Sequence, residues 1–513
     1  MKKFTFYYLV FTFFFFISSI NAQTKSNDID EKYRPQIHFT PDKNWVNDPN
    51  GMVYYKGKYH LFFQHSPNST VWSDISWGHA TSNDLVHWER KPIAIYPDSL
   101  GLIFSGSAVV DKNNSSGLGK NGIIPLVAMY TSHDMKKEKA GVIDVESQSI
   151  AYSLDEGETW IKYQSNPVLK NPGVRDFRDP KVFWHEQSKN WVASIAAQDQ
   201  ISFYASSDLK NWKKLSDFGK TIGSHDGVWE CPDLFPIEYE GKTVWVLIVN
   251  INPGGPNGGS ATQYFVGDFN GKEFKCDYKQ VKWMDYGPDN YAGVTFSNVG
   301  DRNILIGWMS NWNYANVVPT EKWRSAMTVP RELSLIEQPS YKNGIVDAKL
   351  TDILLASNPV KELNATFTKT MSKENFITEK IFSLSTEQNP IPNRIDLNAF
   401  LPHSFEIVLS NTFNEKLIIG YDSTKIQYYI DRSQAGIANF NEGFASVAVA
   451  PRLSGGIMLS WSILIDKTSI ELFADGGRTL MTALFFPTHP YTKCILQSKN
   501  GIGLNSLNLY SIK

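Results

Sequence analysis

Trp45-Val46-Asn47-Asp48-Pro49-Asn50-Gly51 runs into Met52-Val53-Tyr54-Tyr55, turns at Lys56-Gly57-Lys58 and returns through Tyr59-His60-Leu61-Phe62-Phe63. The plan recurs twice. Arg178-Asp179-Pro180 leads into Lys181-Val182-Phe183-Trp184 and, past a polar turn, Trp191-Val192-Ala193-Ser194. Glu230-Cys231-Pro232 leads into Asp233-Leu234-Phe235 and, past Glu240-Gly241-Lys242, Thr243-Val244-Trp245-Val246-Leu247. Aromatic and β-branched runs joined by short polar turns are hairpin signals. Each hairpin thus begins with an acid followed within two residues by proline.

A second repeat sits further along each unit. Ser82-Asn83-Asp84-Leu85-Val86-His87-Trp88 and Ser206-Ser207-Asp208-Leu209-Lys210-Asn211-Trp212 share Ser-x-Asp-Leu-x-x-Trp, and Ser153-Leu154-Asp155 with Trp160 is a looser copy. A strand-turn-strand unit recurring every ~50–70 residues points to propeller blades. Phe104-Ser105-Gly106-Ser107 and Asp289-Asn290-Tyr291-Ala292-Gly293 begin two more runs, which makes five blades over 33–335. First strands of a propeller face one axis, so acids at equivalent positions converge there.

Residues 336–360, with Pro339, Ser340, Asn343 and Gly344, read as a linker. Alternation then resumes over 361–513, in Phe405–Leu409, Ile426–Ile430, Ile457–Trp461, Ile463–Ile465 and Ser469–Phe473. Short alternating runs without helical periodicity predict an antiparallel β-sandwich. The expected architecture is all-β, a five-bladed propeller followed by a sandwich.

Lys2 and Lys3 precede the apolar run Phe4–Ile20, and a small residue, Ala22, precedes Gln23. This predicts a cleaved export signal over 1–22, with no membrane span after cleavage. Destination between periplasm and medium stays open. The chain of 513 residues carries a net charge of -2, which gives no reason to expect nucleic acid as a partner. Three cysteines, Cys231, Cys276 and Cys494, cannot make a complete disulfide framework. Aromatic residues make up 13% of the chain, with 15 Trp, which in an exported protein suits sugar stacking as well as core packing.

Three converging carboxylates fit retaining glycoside hydrolysis, in which one acid attacks the anomeric carbon and another protonates the leaving oxygen. The third can offset developing oxocarbenium charge. Other signals are weaker. His65, His79 and His87 lack metal-ligand spacing, no metal or organic cofactor is implied, and Gly254–Ser260 lacks the ending of a phosphate loop. Cys231 has no evident His partner and reads as a buried neighbour of the site.

At these positions the sequence resembles glycoside hydrolase family 32, the β-fructofuranosidases. The motifs that carry it are Trp45–Gly51, Arg178-Asp179-Pro180 and Glu230-Cys231-Pro232, supported by Trp77-Gly78-His79, Asn252–Gly259 and Asp431-Arg432-Ser433. The resemblance implies Asp48 as nucleophile, Glu230 as acid/base and Asp179 as transition-state stabiliser. It places Asn47, Gln64, Trp72, Phe104, Ser105 and Arg178 around the fructose, with Trp312 as an added sugar platform. Arg178 is expected to keep Asp179 ionised, and Glu230 to have a raised pKa. The stretch Gly307–Asn316 with Trp323-Arg324-Ser325-Ala326 and Val329–Leu333 is similar to bacterial levanases and exo-inulinases. The expected substrates are therefore levan, inulin and sucrose, cut from the chain end. An endo-levanase, a fructosyltransferase, an arabinan- or xylan-cleaving relative and a non-catalytic fructan-binding protein stay open as alternatives, as does the oligomeric state.

Overall fold

The computed structural model describes residues 31–513 apart from 279, 343–344, 387, 389–390 and 401–402, so the expected signal at 1–22 lies outside the described residues. From Asn44 to Pro359 the chain forms five sheets of antiparallel hairpins. Their first strands are Asn44–Tyr55, Leu102–Val110, Phe177–His185, Val228–Tyr239 and Tyr291–Thr295. Each lies beside the first strands of two other sheets, so the five surround one axis. Backbone hydrogen bonds close the ring: Tyr54 N–H donates to Ser297 O at 3.0 Å and Ser297 N–H to Met52 O at 2.9 Å. Asn44 and Trp45 also pair in parallel with Trp323 and Arg324.

The blades are buried on both faces because each adjoining pair shares an apolar cluster. Phe62 and Trp77 meet Ala108 and Tyr130 between blades one and two. Val127 and Ile150 meet Phe177 and Val182 between the next pair, and Phe203 meets Trp229 and Leu247 beyond that. Leu305 and Leu333 pack on Phe235 and Tyr264, while Trp45 and Trp308 join the last blade to the first. Full burial of one such side chain stabilises by about 1.5–3 kcal/mol. Blade-to-blade packing therefore stabilises the arrangement of first strands around the axis.

The Ser-x-Asp-Leu repeat is the turn into the outer strand of its blade. Asp84 Oδ1 accepts from the N–H groups of Val86 and His87 at 3.0 and 2.8 Å, and Asp208 Oδ1 does the same for Lys210 and Asn211. Leu85 and Leu209 plug the core from left-handed backbone, φ 68° and 61°. Trp212 Nε1–H ties the turn to Leu209 O at 3.1 Å.

The linker expectation at 336–360 is corrected. Arg331–Lys342 and Ile345–Pro359 pair antiparallel as the outer hairpin of the fifth blade, with Leu333 opposite Ser357 and Glu337 opposite Ile353. The polar tip concealed an alternating stem whose Leu333, Leu335 and Leu355 pack on the fourth blade. The passage to the second region is only the 3₁₀ turn Lys361–Thr366. Two six-stranded sheets follow and enclose one core that includes Leu397, Ile407, Ile419, Trp461, Leu472 and Leu496. The two runs read at 457–465 are one strand, Met458–Ile465. Propeller and sandwich meet over a buried charge cluster. His38 bridges Asp466 and Glu471 at 2.8 and 2.7 Å, and Arg331 reaches Glu471 and Asp285 at 2.5 and 3.0 Å.

Candidate active site

Every first strand breaks its pairing register at one level along the axis. The breaks fall between Val46 and Pro49, Ile103 and Gly106, Glu230 and Asp233, Tyr291 and Val294, and opposite Arg178 to Lys181. A bulge leaves residues unpaired and re-aims their side chains, and proline is tolerated there because no ladder N–H is needed. This explains the acid-then-proline pattern. Asp179, Cys231 and Ala292 take left-handed backbone at φ 62°, 44° and 52°, an uncommon conformation for residues with a side chain. At Gly51, φ 52°, a Cβ would stand 2.7 Å from Trp77 Cζ3, so the first motif must end in glycine.

The bulged side chains gather at the floor of a cavity of about 730 Å³. All ten residues expected at the site line it: Asn47, Asp48, Gln64, Trp72, Phe104, Ser105, Arg178, Asp179, Glu230 and Trp312. Asp48 accepts from Ser105 Oγ at 2.7 Å and from Asn47 Nδ2 at 2.9 Å. Asp179 Oδ2 accepts from the Cys231 N–H at 3.0 Å, and its own N–H donates to Thr131 Oγ1. The Cys231 thiol lies 3.5 Å from Asp48 and 3.6 Å from Asp179, joining the two acids; burial pushes it well up. It is thereby a neutral donor and not a nucleophile.

Arg178 holds Glu230 more closely than Asp179. Its Nη2 and Nε donate to Glu230 Oε1 at 3.1 and 3.3 Å, whereas Nε stands 3.9 Å from Asp179. Tyr291 O–H donates to the other oxygen of Glu230. Burial raises Asp48 and Glu230, with Arg178 and Tyr291 opposing the rise at Glu230 and Asp48 adding to it. Asp179 is pushed up to about 8, first by burial and then by Glu230 and Asp48, against Arg178. Three acids sharing one arginine cannot all stay ionised near neutrality, so the cluster retains a proton. The expectation of a raised Glu230 agrees with this in direction, and Arg178 opposes the rise at Asp179 as expected.

No role for Asn50 follows from the sequence, though the first motif contains it, and His133 and Glu146 go unmarked there. Asn50 accepts from Gly106 N–H at 3.1 Å and Gln64 Nε2 at 3.2 Å, clipping the bulges of two blades together. His133, whose ring stacks on Phe104 at 4.2 Å, and Glu146 also line the cavity. They lie on second and third strands, where no motif marks them. Among the described residues, no group of three or more His, Cys, Asp or Glu is placed to hold a metal ion.

The family sequence models agree with this geometry. That for "Glycosyl hydrolases family 32 N-terminal domain" matches residues 38–345 and that for "Glycosyl hydrolases family 32 C terminal" matches 358–511. The chain is 42% identical to a levanase of Bacillus subtilis over 95% of its own length and 72% of that protein. It is 40% identical to an extracellular exo-inulinase of Aspergillus awamori, covering 93% and 94% of the two chains. A solved fructofuranosidase of Schwanniomyces occidentalis, complexed with fructose, is 35% identical and superposes with a TM-score of 0.84 over 95% of this chain and 99% of that one.

Proposed function

We infer the reaction from the premise that this chain belongs to glycoside hydrolase family 32. The protein is a glycosidase that releases terminal β-D-fructose from fructans, levan or inulin, and from sucrose. Asp48 attacks the anomeric carbon of the terminal fructosyl unit while Glu230 protonates the departing oxygen. A covalent fructosyl-enzyme then forms with inversion at that carbon. Water, deprotonated by Glu230, displaces Asp48 with a second inversion, so configuration is retained. Asp179 accepts hydrogen bonds from the sugar hydroxyls. Those bonds favour its ionised form and drive the proton of the cluster toward Glu230, where the first step needs it.

The observation that carries this reading is the meeting of Asp48, Asp179 and Glu230, from three blades, at the floor of one cavity. The relative called extracellular exo-inulinase supports exo action. Relatives called levanase and extracellular exo-inulinase support the substrate class, and the second supports export. No helix among the described residues is long and apolar enough to cross a membrane.

Incubation of the purified chain with levan, inulin and sucrose, followed by chromatography, tests it. Free fructose as the first product, absent in Asp48→Asn, is expected, and the relative rates assign β-2,6 against β-2,1 linkage. Oligosaccharides appearing first would overturn the exo assignment, and growth of longer oligosaccharides at high sucrose would make the protein a transferase.

A further inference from the structure

One buried carboxylate in the cavity wall has no part in the scheme above. Glu146 begins the third strand of the second blade, Glu146–Ser153, and pairs across it with His133, the last residue of Leu126–His133. Its Oε1 accepts from His133 Nδ1 and from Arg178 Nη1, both at 3.2 Å. Its Oε2 is buried without a hydrogen-bond partner. The far side of the same guanidinium meets Glu230. On the other side of His133, Nε2 lies 3.1 Å from Glu138, on the short helix Met135–Lys139 beside the cavity.

We propose that Glu146 is a positioning residue for the acid/base: it holds Arg178 from behind and sets how much positive charge Arg178 presents to Glu230. The inference rests on the reading of Glu230 as the acid. Arg178 is shared among Glu146, Asp176 and Glu230, with Asp179 just beyond at 3.9 Å. Whatever charge Glu146 neutralises is withdrawn from Glu230. His133 competes with Arg178 for the same oxygen, and Glu138 and Glu146 together keep the imidazole's affinity for its proton raised despite burial.

Glu230 is faced by Arg178 from the third blade, Tyr291 from the fifth, and Asp48 and Asp179 from the first and third. Of these, Arg178 is the group in contact with Glu146, so altering Glu146 or His133 acts on Glu230 chiefly through it, with opposite signs. Glu146→Gln leaves more of the guanidinium charge on Glu230 and lowers its pKa. His133→Gln removes the competitor and raises it. The basic limb of kcat/KM is expected to move down in Glu146→Gln and up in His133→Gln, each by about half to one pH unit. In Glu146→Gln kcat should also fall roughly 10- to 100-fold with KM little changed, since a displaced guanidinium misplaces the acid.

Basic limbs that stay at the wild-type position, or that move in the same direction, overturn the proposal. If Glu146→Gln fails to fold by circular dichroism, the direction of the limb in His133→Gln decides alone. Glu230→Ala is run alongside. Should it keep the wild-type basic limb, the acid/base reading itself falls; should it lose that limb while the two variants stay unmoved, only the positioning role falls.

Discussion

Two clusters of buried charge, one at the axis and one between propeller and sandwich, use the same residue types to opposite ends. In the interdomain cluster, His38 and Arg331 divide Asp466, Glu471 and Asp285 between them. Despite burial, His38 and two backbone N–H groups hold Asp466 below the usual range, and Arg331 with His38 holds Glu471 down. At the axis one arginine serves Glu146, Asp176 and Glu230, while Asp48 has only neutral donors, and burial pushes Asp48, Asp179 and Glu230 up. The difference lies in the supply of cations, not in depth. Where two cations are divided among three carboxylates, each acid has a charged partner and the cluster is mortar; where one arginine is spread over more acids than it can reach, protons are held loosely enough to be transferred.

The sharpest break of this comparison comes from neutralising one acid in each cluster. Asp48→Asn or Glu230→Gln should lower kcat on sucrose by about 10⁴-fold. Their urea midpoints should stay level or rise, because a crowded anion has been removed. Glu471→Gln should do the reverse, since it strips Arg331 and His38 of a shared partner. It is expected to cost about 3–5 kcal/mol in urea unfolding while the folded fraction keeps its kcat. A destabilised Asp48→Asn, or an inactive but stable Glu471→Gln, would show that the two clusters do not divide labour in this way.

Next in size is the pH response of stability. His38 is raised from 6.5 to about 9, so the folded chain keeps a proton that the unfolded chain loses earlier. Its contribution is complete below 6.5 and lost as pH climbs through 9. His38→Gln should flatten that limb of the unfolding free energy, an effect of about 1–3 kcal/mol. Asp179, raised from 3.8 to about 8, favours the folded state most below 3.8 and loses that contribution by 8. Asp179→Asn should therefore flatten the interval between 3.8 and 8 and leave the limb above it in place. Calorimetric midpoints from pH 4 to 10 read both.

The site was more legible in the sequence than the interdomain cluster, for a physical reason. A bulge that aims an acid at the axis needs proline or left-handed backbone beside it, and both leave a local mark at Asp48, Asp179 and Glu230. His38, Asp285, Arg331, Asp466 and Glu471 come from far-separated strands, and their pairing carries no local signature. Glu146 and His133 were missed likewise, although they face the cavity, because cross-strand pairing alone brings them together. Residues 336–360 read as a linker because turn-forming residues at the tip of the hairpin outweigh the alternation in its stem. Arg178 was recognised, but which carboxylate it would grip depends on side-chain direction beyond the reach of spacing.

The smallest expected effect is that of Trp312→Ala, which sets it apart from the neighbouring indole of Trp308. Trp308 is fully buried where the fifth blade meets the first, and Trp312 packs on it at 4.9 Å while presenting another part of its ring to the cavity. Trp308→Ala should cost about 3–5 kcal/mol of stability, as other large core truncations do. Trp312→Ala removes a surface on which a sugar ring can stack, worth about 0.5–1.5 kcal/mol, or roughly 3- to 10-fold in KM. If the platform holds the sugar beyond the one being cut, the rise in KM should be larger for levan or inulin than for sucrose, with kcat nearly constant. An equal rise for all three substrates would place the contact on the terminal fructose itself, and an unchanged KM with lowered stability would make Trp312 a core residue like its neighbour.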